Sequence, residues 1–147
     1  MSKTTDTLFD LIAITNDGRL FYESAIALIS SPQLKTLFSE MARAKANLST
    51  VLSQQLTAVK SSPANDSGLV GQFKMFYIHA LAALQQCSDA SCLQELEEIE
   101  AHLLDVLESA VVECDEISHL PVLHMQMKRV RLCHAHLLEL KRRLRVA

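Results

Sequence analysis

The sequence has no tryptophan, three glycines and three prolines, and aromatic residues make up only 5 % of it. So few breakers and β-formers, beside an apolar content of 49 %, exclude a strand-rich fold and favour an all-α protein. From Met75 to Met127 there is no Lys or Arg, while ten carboxylates fall in the same stretch. Lys128 to Arg145 reverses this, with seven basic residues against Glu139 alone. Two adjacent helices of opposite sign attract one another, which accounts for the asymmetry within the fold. A net charge of −3 implies no bulk attraction to nucleic acid or membrane. Met1 to Asp6 lacks a basic-then-apolar leader, and no uncharged apolar run of spanning length follows, so a soluble, cytoplasmic protein is expected. The four cysteines, Cys87, Cys92, Cys114 and Cys133, form no CxxC and no Cys/His zinc spacing. They read as buried free thiols, with a Cys87–Cys92 bridge across Ser88–Ser91 as the minority alternative.

At 147 residues the chain is long enough for one domain with a real core, spanning 1–147. Apolar periodicity predicts helices over about 5–29, 32–59, 69–86, 89–113 and 120–143. In the first, Leu8, Leu11, Ile12, Thr15, Tyr22, Ile26 and Ile29 share a stripe that keeps its phase through Asn16-Asp17-Gly18. The helix is therefore continuous there, and Gly18 lies on its inner side. Ser31 and Pro32 supply an N-cap and a first-turn proline for the second helix, making a tight antiparallel hairpin. Ser61 to Gly68 is a polar, breaker-rich loop. The 69–86 helix, with Leu69, Phe73, Phe76, Tyr77 and Ala80 on one face, is shorter and suits a crossover that carries the chain back along the bundle. Asp115 to His119 is a turn. The last helix is expected to bury Leu120, Leu123, Met127, Val130, His134, Leu137, Leu138 and Leu144. Its basic end, Lys141-Arg142-Arg143-Leu144-Arg145, places cations where the helix dipole favours them, and without interleaved aromatics it argues against a nucleic-acid patch.

The second helix holds the oddity of the chain. Lys45 falls near the middle of an apolar face made by Leu34, Leu37, Phe38, Met41, Leu48, Leu52, Leu56 and Val59. A buried ammonium needs a carboxylate beside it or it loses its proton. Each other long helix also carries polar groups near its midpoint: Tyr22 and Glu23, Glu100, and His134. Helix midpoints in an up-and-down bundle lie at similar depth, so Tyr22, Glu23, Lys45, Glu100 and His134 are expected to form one polar layer. Arg19, Glu97 and Arg131 are candidate contributors to it. A one-residue phase error would exchange Glu97 and Glu100 as the inward carboxylate. In the favoured reading Lys45 pairs with Glu100 and with Glu23; in the alternative its long stem carries the ammonium past the bundle edge.

Several segments are similar to a bacterial ferritin-like family of four-helix-bundle proteins of unknown function. They are Leu11 to Gly18 with Phe21-Tyr22-Glu23, Ser31-Pro32-Gln33-Leu34, Leu37 to Ala42, Gln94 to Glu100, and Val130 to His134. The resemblance implies a ferritin-like up-and-down four-helix bundle with a shorter crossover helix. Metal-binding members of that superfamily hold two irons with one Glu from each of two helices and a Glu-x-x-His pair from each of the other two. This chain departs from that set. Ala44-Lys45-Ala46-Asn47-Leu48 offers neither carboxylate nor imidazole, and Arg131 stands three residues before His134. Glu116 to His119, a Glu-x-x-His by spacing, straddles the expected turn.

The sequence therefore leans away from an enzyme. The leading expectation is a ferritin-like structural or interaction protein with a salt-bridged core, with no cofactor, and with faces that leave room for a homodimer. The runner-up is an iron-dependent oxidase or iron-handling protein whose metal ligands would be Glu23, Glu100 and His134. A nucleic-acid-associated protein acting through the basic last helix comes third.

Overall fold

A computed structural model of the chain describes residues 3–59 and 68–146. The described residues are helical apart from short connections, with no strand among them. They form α1 (Lys3–Ala25), α2 (Pro32–Val59), α3 (Leu69–Gln86), α4 (Asp89–Glu113), α5 (Asp115–Ser118) and α6 (Pro121–Val146). Most of the Ser61–Gly68 loop lies outside the described residues; Gly68 sits at φ 80° and opens α3, a left-handed conformation that glycine adopts without steric cost.

Local chemistry sets the helix ends. Ser31 Oγ accepts from the Leu34 amide at 3.3 Å and Pro32 begins α2. Ser88 caps α4, accepting from the Ser91 amide at 3.0 Å. α1 runs unbroken through Asn16-Asp17-Gly18 but begins at Lys3 and tightens after Ala25 into a 3-10 turn over Ile26–Leu28. The expected helix to residue 29 thus ends early, because the chain must turn within Ile29-Ser30-Ser31 to enter α2. The expected turn after α4 contains the single-turn helix α5, whose Glu116 accepts from Thr4 Oγ1 at 2.6 Å and ties this corner to the start of α1.

Residue pairs fix the directions of the helices. Ser49 meets Asn16, so α2 descends beside ascending α1. Lys74 lies beside Asp17 and Tyr77 beside Phe21, so α3 runs parallel to α1. Phe73 stacks on His102 while Tyr77 meets Glu100, so α4 is antiparallel to α3. Arg131 to Glu108 and Lys141 to Glu97 make α6 antiparallel to α4. The packing order around the molecule is α1, α2, α6, α4, α3 and back to α1. The shorter helix is therefore a fifth stave set between α1 and α4.

The core is the apolar interior of this ring, with Leu8, Ile14, Phe38, Leu48, Leu52, Phe73, Leu93, Leu96, Leu103 and Leu137 fully enclosed. On α6 the buried stripe runs through Leu123, Met127, Val130, Cys133 and Leu137. Leu138 and Leu144, expected inside, are exposed, because the face turned to α2 and α4 lies on the Cys133 side of the predicted stripe. Of the four cysteines, all free, Cys87 is exposed and the other three are buried.

Candidate functional site: a buried ion pair held by two tyrosines

Lys45 and Glu100 are 2 % and 1 % exposed, and Lys45 Nζ donates to Glu100 Oε1 at 2.7 Å. The opposite oxygen, Oε2, accepts from Tyr22 Oη at 2.7 Å and from Tyr77 Oη at 2.9 Å. Four helices thus meet at one carboxylate: α1 through Tyr22, α2 through Lys45, α3 through Tyr77 and α4 through Glu100. One positive and one negative charge cancel, and three charge-assisted hydrogen bonds replace the water that Glu100 would have outside.

The surroundings hold each member in place. Tyr22 packs edge-on against Phe38 and Phe21, with ring centroids 5.0 Å away in both cases, and Tyr77 lies 5.4 Å from Phe21. Lys45 Nζ stands 5.9 Å from the Tyr22 ring centroid. Gly18 makes room on α1: a Cβ there would come within 2.7 Å of Tyr77 Oη and 2.8 Å of Lys45 Cδ. Burial first, and the adjacent Glu100 carboxylate second, push both tyrosine hydroxyls well above the usual range, which keeps them protonated donors.

The remaining members of the expected layer lie elsewhere. Glu23 is exposed and pairs with Arg19 one turn earlier on α1, at 3.0 Å. Its position one residue past Tyr22 turns it about 100° away from the core. His134 is on the α4–α6 seam, with Nε2 3.6 Å from Glu97 Oε2, beyond hydrogen-bonding reach. Glu97 Oε1 accepts instead from Lys141 at 3.2 Å. Of the two candidates on α4, Glu100 is the inward carboxylate and Glu97 the peripheral one. Arg131 is at the surface, bound to Glu108 at 3.1 Å. Tyr77 is the member that phase reasoning left out. Its signal was a phenol on the apolar face of a short helix, which must find a partner once buried.

These positions bear on the iron alternative. Among the described residues no three His, Cys, Asp or Glu side chains converge on a common point. Glu23 is in solvent, His134 on the α4–α6 seam and Glu100 in the core, and both Glu100 oxygens already accept from Lys45 and the two tyrosines. An ammonium 2.7 Å from Glu100, the sole buried carboxylate among the described residues, occupies the place and the charge that a divalent cation would need. These residues do not fit a di-iron centre.

Fold and site together define an all-helical protein with an electrically neutral polar core, in which no helix of the described residues is long and apolar enough to cross a membrane. The sequence model of the family described as a domain of unknown function, DUF2383, matches residues 3–113, and the chain belongs to that family. No curated protein and no solved structure matches the chain.

Proposed function

We propose that this protein is a non-enzymatic, ferritin-like bundle that acts as a structural or interaction protein, its core ion pair standing where metal-binding relatives hold iron. The observation that carries the reading is the Lys45–Glu100 contact, enclosed and completed by Tyr22 and Tyr77. Both oxygens of Glu100 are engaged, which supports a structural part for this carboxylate over one as a free acid or base. Two of the buried thiols are held as weak nucleophiles: burial pushes Cys92 up to about 12 and Cys133 up to about 11. The helix directions support the ferritin-like assignment, since α1–α2 and α4–α6 are antiparallel pairs joined by an ascending connection, here the helix α3.

The test is metal analysis of the purified protein after aerobic loading with ferrous iron. The expected result is no bound iron above that of a helical control protein. About two irons per chain, the stoichiometry of a di-iron bundle, would overturn the reading in favour of an oxidase or iron-handling protein.

A further inference from the structure

A groove of about 960 Å³ lies on the outer side of the α2–α6 seam, and neither Lys45 nor Glu100 lines it. It extends from Lys35 to Ala44 along α2, which at 1.5 Å per residue is about 13 Å, or two and a half helical turns. Met125 and Leu132, about two turns apart on α6, are 59 % and 56 % exposed along it. Lys35, Arg43, Lys128 and Arg129 stand around the groove, and none of them has an ion-pair partner among the described residues. The acid in the groove, Glu40, is held by His136 at 2.9 Å.

We infer that this groove docks an acidic amphipathic helix of a partner protein, two to three turns long, with carboxylates on both sides of a narrow apolar stripe. A valley between two antiparallel helices accepts the side-chain ridge of a third. An extended peptide would find no free backbone groups here, because both walls are helical. The cations are spread along α2 and α6, which matches charges distributed along a helix and exceeds what a single carboxylate or phosphate would engage. Concavity separates it from a membrane-binding face, which needs apolar side chains projecting outward from a convex helix. The chain's own acidic helix lacks the required ridge: Val112 is the large hydrophobic exposed on α4, and Glu108 and Glu97 are already bound to Arg131 and Lys141.

This inference rests on reading the bundle as an interaction protein. The experiment titrates a fluorescein-labelled synthetic helix, with Leu at i, i+3, i+4 and i+7 flanked by Glu, by anisotropy. The same preparation is assayed for iron, so that iron defeats the interaction reading and absent peptide binding defeats the groove. The comparison peptides are a scrambled sequence and one with every Glu replaced by Lys. The expected result is saturable binding of the acidic amphipathic helix alone, weakened by added salt and roughly tenfold or more by either Arg43→Glu with Lys128→Glu or Leu132→Asp. Circular dichroism of these surface variants should match the parent. No binding, equal binding of the scrambled peptide, or unchanged binding by the variants would overturn the proposal. So would capture by phosphatidylglycerol vesicles through the same residues, or a self-associated state that the variants dissolve.

Discussion

Replacing Lys45 by Met keeps the length and most of the volume of the side chain and removes its charge. Glu100, 1 % exposed, is then left with two tyrosine donors and no cation. Breaking a buried pair from one side costs about 3–5 kcal/mol, because the surviving charge has neither water nor partner. Tyr22 and Tyr77 still donate to Oε2, which places the expected loss at the lower end, about 3 kcal/mol. For a chain of this size that corresponds to a melting temperature lower by about 10 °C. Adding Glu100→Gln removes the stranded charge and preserves an oxygen acceptor for both tyrosines. The double variant should therefore recover about 2 kcal/mol relative to the sum of the two single effects. Urea unfolding followed by far-ultraviolet circular dichroism measures all four corners of this cycle, and the coupling should persist in high salt because an enclosed pair is weakly screened. Additivity within about 0.5 kcal/mol, or a loss below about 1 kcal/mol for Lys45→Met alone, would falsify the account of the core given above.

Gly18→Ala should also destabilise, since its Cβ would press on Tyr77 Oη and the Lys45 stem; about 1–3 kcal/mol of crowding outweighs up to about 1 kcal/mol of gained helix propensity in the same unfolding assay. Tyr22 and Tyr77 are the only tyrosines in the chain, and both are held above the usual range, so the native protein titrated with alkali should show no tyrosinate absorbance near 295 nm until it unfolds. The linkage has a definite sign: a folded-state value raised above the unfolded value near 10 gives stability that is present below pH 10 and lost as pH climbs past it. A smooth tyrosinate titration with the helical signal intact would refute that. With Ellman's reagent, one thiol per chain, Cys87, should react in native protein and the other three only after denaturation.

Much of this architecture could be read from residue order alone, for stated reasons. A 3.6-residue period survives Asn16-Asp17-Gly18, so α1 could be kept continuous against its local turn chemistry. Lys45 and Glu100 were each central on an apolar face, and their depth along two long helices made them meet. Glu23 and His134 were assigned to the same level because they lie near helix midpoints, but level is only one coordinate. About 100° of rotation per residue put Glu23 in solvent, and the Cys133 face of α6 being the one turned inward put His134 on the seam. Tyr77 escaped because its helix was assigned a connecting role, and a connection is not expected to contribute to a core. Cys87 escaped because free cysteine is so often buried, yet here it ends α3 at an exposed corner.

The carboxylate of Glu100 joins α1, α2, α3 and α4 at one point, and α6 is absent from that junction. α6 is held by apolar packing and by partly or fully exposed ion pairs such as Arg131–Glu108 and Lys141–Glu97. The expected consequence is two cooperative units of unequal local stability, a four-helix unit that opens with global unfolding and a last helix that detaches more cheaply. In hydrogen exchange α6 should open first. Because α6 also forms one wall of the cationic groove, a ligand seated there would raise the protection of that helix selectively, bringing the least protected long element toward the stability of the rest.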